Sequence, residues 1–166
     1  KKNKIFRLST AGSEELLFTI PVGIFTAILL CSRLAVRVFR LDVYSAAVHC
    51  GMYFCSYRGK LYSFDLNKKA LKIEMTFEKG HGPLSFVSGA GVDGFDDELY
   101  FGDYFSDSSF DRIQIHKRHK LGEWHQCYTF EAGLINHIHA LVPDKNNKCM
   151  WILTGDEGAS YGIYRA

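Results

Sequence analysis

Short runs in which apolar and polar positions alternate recur along the chain. Met52-Tyr53-Phe54-Cys55-Ser56-Tyr57, Leu99-Tyr100-Phe101-Gly102-Asp103-Tyr104 and Met150-Trp151-Ile152-Leu153-Thr154-Gly155-Asp156 resemble one another. Their anchor aromatics Tyr53, Tyr100 and Trp151 stand 47 and 51 residues apart. Recurrence at a fixed period marks a repeated structural unit, and alternation marks strands, whose successive side chains point to opposite faces. A turn and a second alternating run follow each anchor, at residues 60–66, 111–117 and 161–166. Two units then add a third run, 71–77 and 124–130, and each anchor is preceded by a small-residue or apolar segment, as in VYSAAVHC, PLSFVSGAG and HIHALV.

Four short strands in sequence, joined by turns such as Leu66-Asn67-Lys68-Lys69 and Pro143-Asp144-Lys145-Asn146-Asn147, predict an all-β fold. Repeated every 40 to 50 residues, such a unit is the pattern of a β-propeller blade, which buries its faces only against neighbouring blades. The expectation is a partial β-propeller of about three to four four-stranded antiparallel blades, in one truncated domain over 1–166. The blades fall at approximately 1–42 (partial), 43–80, 81–131 and 132–166 (incomplete). A fragment of a larger protein, or a propeller completed by another chain, ranks ahead of a closed four-bladed ring.

The uncharged run Leu16–Ser32 invites a membrane reading, but Pro21 and Gly23 divide it into ELLFTI and IFTAILL. These are read as two strands joined by a turn. Glu14 and Glu15 stand where a secretory signal needs basic residues, and Leu30 before Cys31 does not suit a lipoprotein cleavage site.

Hydrophobic residues make up 47% of the chain, which suits a packed core rather than disorder. The formal charge of +2 gives no overall attraction for nucleic acid or an anionic membrane, and neither is expected as a partner. The cluster His116-Lys117-Arg118-His119-Lys120 is read as a solvated turn. Five cysteines without a CxxC pair are read as buried free thiols and favour a reducing, cytoplasmic location.

Near the C-terminus, Thr154-Gly155-Asp156 followed by Tyr161-Gly162-Ile163-Tyr164-Arg165 resembles the sialidase-like, BNR-repeat propellers. In that family such strands lead to an Asp-box turn. Residues Ile115 to Trp124 hold a degenerate version that keeps Gly122 and Trp124, with Lys120 at the Asp position and the spacing one residue short. The resemblance implies a glycan-related propeller. It does not place the family's arginine triad, tyrosine nucleophile or acid residue by residue, and many such propellers are non-catalytic.

His137 and His139 lie two apart in HIHALV, which occupies the innermost strand position of the last blade, so strand periodicity puts both on one face. A structural pair, a polar ligand site and a metal pair are all compatible with that spacing. No third ligand is evident in sequence, and neither metal nor cofactor is expected. Asp103, Asp156 and Glu157 are candidate ligand-binding carboxylates. Asp93-Gly94-Phe95-Asp96-Asp97-Glu98 lacks the ligand spacing of a calcium loop. Arg33 and Arg37 would share a strand face, with Arg40 opposite, making Arg37 a candidate for an anionic group. The leading expectation is a propeller that binds or hydrolyses a carbohydrate or other small polar ligand at its channel mouth, with catalytic residues unassigned. The alternative is a non-catalytic scaffold for protein partners. Self-association through unpaired blades is also expected.

Overall fold

The structure is a computed structural model that describes residues 2–78, 80, 82–105, 112–119, 122–155 and 161–166. Among the described residues it is all-β apart from two six-residue helices, and it divides into two compact units, Lys1–Tyr44 and Ser45–Ala166.

In the second unit three antiparallel sheets follow one another along the chain. The first takes β3 (Ser45–His49), β4 (Met52–Tyr57), β5 (Lys60–Asp65) and β6 (Ala70–Thr76) in chain order. The second takes β7 (Val87–Ser88), β8 (Leu99–Gly102), β9 (Ile113–Arg118) and β10 (Trp124–Phe130). The third holds β11 (Ile138–Asp144), β12 (Cys149–Thr154) and β13 (Gly162–Arg165). The repeat therefore corresponds to real sheets, with each expected run landing on a strand. Tight turns set the first register: Cys50-Gly51 and Arg58-Gly59 both have positive φ at their two central positions, the geometry that matches strand twist.

The anchor aromatics are not all core. Tyr100 is buried, whereas Tyr53 and Trp151 are half-exposed, and their neighbours Phe54, Phe101 and Ile152 carry the packing. Phe54, Leu61, Leu99 and Phe101 form one cluster. Ile113, Ile115, Phe130, Ile135, Ile138 and Met150 belong to a second, which joins β9 and β10 to β11 and β12. The cysteines also depart from expectation: Cys55 and Cys149 are buried, but Cys31, Cys50 and Cys127 are exposed. Burial pushes the Cys55 thiol up to about 12, leaving it inert as a nucleophile.

The basic cluster is not a solvated turn. His116, Lys117 and Arg118 lie in β9, where Lys117 Nζ sits 2.9 Å from Asp96 and 3.6 Å from Glu98. Arg118 lies 3.7 Å from the buried Glu74 and 4.8 Å over the Phe54 ring. Lys117 and Arg118 are thus paired with carboxylates from other segments of the fold. The acidic run pairs with bases too, Asp93 lying 3.6 Å from Lys148.

One motif closes two turns. Asp65-Leu66-Asn67-Lys68-Lys69 and Asp144-Lys145-Asn146-Asn147-Lys148 each begin with an aspartate that accepts backbone N–H groups ahead of it and end on a lysine with positive φ. Asp144 also accepts from Asn147 Nδ2 at 2.7 Å and Trp151 Nε1 at 3.1 Å. The Asn147 side chain, the Asn147 backbone and the indole hold the Asp144 carboxyl at about 2, against an ordinary 3.8. Because the folded value is depressed, this stabilisation is complete above 3.8 and disappears as pH falls through about 2. Asp144→Asn is therefore expected to flatten the fall in urea midpoint across that window. An acid limb identical to wild type would contradict the assignment.

The first unit differs most from expectation. β1 (Lys4–Leu8) and β2 (Glu14–Thr19) form a hairpin, after which α1 (Ile24–Leu29) and α2 (Arg33–Val38) replace the second expected strand. IFTAILL is thus helical, and the expected partial blade is a two-stranded sheet followed by two helical turns. The Ser32 side chain caps α2 by accepting the Ala35 N–H at 3.3 Å. Helices this short do not stand alone. Leu30, Val36 and Leu41 pack together beneath them, with Val22 and Leu29 against that cluster. No helix among the described residues is long and apolar enough to cross a membrane.

Candidate functional site

The imidazoles of His137 and His139 meet. Their Nε2 atoms are 3.2 Å apart and the rings lie 4.7 Å apart, near perpendicular at 81°. The route differs from simple strand alternation. β11 begins at Ile138, and its register shifts between Ile138 and Ala140, which pair with Thr154 and Leu153. His139 is the extra residue of a β-bulge, a device that re-aims a side chain. The strand takes in Pro143 and ends at Asp144. β11 is the first strand of its sheet, an edge position where a proline removes no ladder bond that the sheet requires.

Tyr104 completes the corner. Its ring centroid is 4.8 Å from His137 and 5.8 Å from His139. The residue follows directly on Asp103, whose carbonyl accepts the Ile138 N–H at 2.8 Å, so one backbone bond locks the β8 exit to the β11 start. Gly102 makes that approach close enough. On the far side, a Cβ placed on Gly155, just past β12, would sit 3.2 Å from Tyr161 Cβ and 3.9 Å from His139 Cδ2. His137 is buried and His139 half-exposed, which leaves one imidazole reachable and one enclosed.

Asp103 does not join the corner as a ligand group. Its Oδ2 accepts the Gln114 N–H at 3.0 Å, and its Oδ1 accepts from His116 Nε2 at 2.9 Å. His116 in turn stacks on Phe101, with ring centroids 4.7 Å apart and an interplanar angle of 19°. The carboxylate is a buried tie between β8 and β9. Asp156 and Glu157 lie outside the described residues. Arg37 belongs to the first unit, on helix α2 rather than a strand. As a helix, α2 still puts Arg33 and Arg37 on one face, one turn apart, while Arg40 follows it with a positive φ of 49°.

The sequence did not single out His116, the partner of Asp103, or the position of Tyr104 against both histidines. A buried histidine inside a basic run is masked by its neighbours' charges. The strand period sets it on the face opposite Ile113 and Ile115, with Gln114 and Arg118, so no apolar stripe marks it. Among the described residues no three His, Cys, Asp or Glu side chains converge where a metal ion would sit.

A groove of about 500 Å³ opens elsewhere in the second unit, lined in part by Phe95, Tyr100, Tyr128, Phe130, Tyr164 and Lys117. It runs beside β13, the last strand of its sheet.

The chain matches no protein-family model and no curated protein. Among solved structures it is similar to the extracellular domain of the putative hybrid two-component system BT4673 from B. thetaiotaomicron, with 17% identity and a TM-score of 0.49. A second structure, the extracellular domain of the putative one-component system BT4673 from the same organism, gives 16% and 0.49. Each match covers 69% of this chain and 14% of the other, so the chain spans about a seventh of the structures it matches.

Proposed function

We propose that the three consecutive sheets are blades of a propeller-type fold, of the sialidase-like kind that the C-terminal motif resembles, and that the His137–His139–Tyr104 corner binds a small polar ligand of the carbohydrate class. The observation that carries this reading is the convergence of two imidazole nitrogens beside an aromatic ring at the start of an edge strand. Imidazole both donates and accepts hydrogen bonds, which suits vicinal hydroxyls, and a tyrosine ring offers an apolar face to sugar C–H groups. The three meander sheets, each in chain order, support the blade assignment.

Binding is favoured over hydrolysis. Glycosidic cleavage uses two carboxyl groups on opposite sides of the scissile bond, roughly 5 to 9.5 Å apart. The one described carboxylate near the corner, Asp103, is occupied by a backbone N–H and by His116.

Saturation-transfer NMR against a panel of neutral and acidic oligosaccharides tests the reading. Wild-type chain is expected to give transfer to at least one sugar, with His139→Ala and Tyr104→Ala each weakening affinity by about tenfold, the loss of a good polar or stacking contact. Silence across the panel, or transfer unchanged in both variants, defeats it. A second reading, a scaffold for protein partners or for self-association, is favoured by the aromatic groove beside β13 and by Ile163 on that strand, 71% exposed.

A further inference from the structure

The helices of the first unit present apolar residues outward on a scale that the fold itself does not explain. Ile24 is 83% exposed, Phe25 and Leu34 73%, Ile28 and Val38 64%, and Phe39 58%. Single exposed leucines are ordinary, but six large apolar side chains within sixteen residues form a patch that water solvates poorly. Inward, Thr26 of α1 and Val36 of α2 are buried, and Val36 packs with Leu30 and Leu41, which lie just past the helix ends. Ile24 and Ile28 lie one turn apart on α1, and Leu34 and Val38 one turn apart on α2, so the outward residues form stripes rather than scattered points.

The charge around these stripes is predominantly positive. From Leu16 through Leu41 the chain contains Arg33, Arg37 and Arg40 and no acidic residue at all. Arg33 and Arg37 form a stripe next to Leu34 and Val38, and both line an open depression of about 900 Å³ with Lys2, Leu34, Val36 and Asp42. Asp42 is the one carboxylate there, and its Oδ1 accepts the Lys2 backbone N–H at 3.0 Å. Apolar side chains flanked by arginines on short surface helices combine the two elements of interfacial membrane binding, apolar insertion to the acyl boundary and attraction to anionic headgroups.

We infer that α1 and α2 dock on an anionic lipid surface, with Phe25, Leu34 and Phe39 entering the headgroup boundary and Arg33, Arg37 and Arg40 meeting lipid phosphates. A protein partner would need an acidic apolar surface to satisfy the same residues. A second copy of this chain brings the same arginines and repels them, so charge complementarity selects lipid. The binding is superficial, because helices of six residues rise only about 9 Å. It is independent of the carbohydrate reading, which concerns the other unit.

The experiment is vesicle co-sedimentation of the full chain at low and high salt. Phosphatidylcholine vesicles are compared with vesicles of phosphatidylcholine and phosphatidylglycerol mixed roughly two to one, where each surface arginine contributes about a fivefold gain. The chain is expected to partition onto the anionic vesicles and to leave them as salt rises. Arg33→Gln with Arg37→Gln should weaken partitioning by about twenty-fivefold, and Phe25→Ser with Phe39→Ser by at least tenfold. All four side chains are outward or rim the depression, so unchanged thermal melting confirms that the variants fold. Equal partitioning onto neutral vesicles overturns the inference, as does absence of binding to either. Displacement by inorganic phosphate beyond that by chloride at equal ionic strength would assign the arginines to a free anion instead. A dimer in sedimentation velocity that Phe25→Ser abolishes would make a second copy the occupant and sink the lipid assignment.

Discussion

Gly102→Ala is expected to destabilise the Ser45–Ala166 unit by about 1–3 kcal/mol or more, the cost of overpacking a filled core. A Cβ at this position would stand 2.5 Å from Ile138 Cβ, 2.5 Å from its Cγ2 and 2.8 Å from its Cδ1, well inside the closest approach of carbon atoms. Rotating the Ile138 side chain does not relieve this, because the clash includes its own Cβ. Nor does Ile138 have room to retreat: it is 2% exposed, and its N–H is tied to the Asp103 carbonyl at 2.8 Å. The start of β11 must move away from β8, which opens the cluster holding Ile113, Ile135 and Met150. Urea unfolding reads the loss as a lower midpoint at unchanged slope. The partner change Ile138→Gly removes the atoms in conflict, so the double variant should be less unstable than the two single losses added together. A shift in Gly102→Ala below about 0.5 kcal/mol, the range of an ordinary surface substitution, would show that the two strands do not meet as described. On the proposed reading of the corner, sugar binding serves as a second readout. The same movement displaces His137 and His139, so affinity should fall in Gly102→Ala although the residue touches no ligand.

How much of this was legible in the sequence follows from which interactions are local. Strand alternation is local, and the runs around Tyr53, Tyr100 and Trp151 identified the sheets because the period of two survives in any strand with a buried face. The short apolar stretch after Pro21 is the opposite case. Pro21 does follow the end of β2, but four to eight apolar residues read equally as strand or buried helix, and no alternation arbitrates between them. Ser32 three residues before Ala35 was the local signal for a helix start that the strand reading passed over. For the candidate site, the meeting of His137 and His139 was legible, but the bulge that produces it was not. A bulge depends on how β12 pairs with β11, a contact with no imprint on the residues of β11 alone. The same limit applies to charge. Lys117 and Arg118 read as solvent-facing because their partners Asp96, Glu98 and Glu74 lie 19 to 44 residues away along the chain.

Asp103 provides the second large effect, and its sign separates a structural carboxylate from a catalytic one. Asp103→Ala leaves two buried groups without their acceptor, the Gln114 N–H at 3.0 Å and His116 Nε2 at 2.9 Å. An unsatisfied buried donor costs about 1–3 kcal/mol, so the expected loss for the two is about 2–6 kcal/mol and is measurable as a lowered denaturant midpoint. The side chains of His116 and Asp103 are 9% and 11% exposed, so little water reaches either to replace the bond. Asp103→Asn keeps one carbonyl oxygen for one of the two donors and should lose roughly half as much. A more specific outcome comes from changing the partner. His116→Phe keeps a ring of similar size stacked on Phe101 while removing the donor, so in that background Asp103→Ala should cost only what the Gln114 N–H loses. A catalytic acid behaves differently, because its replacement leaves stability unchanged or raised while abolishing turnover. If Asp103→Asn folds as well as wild type and the His116→Phe background makes no difference, the carboxylate is not the tie between β8 and β9, and a chemical role for it returns.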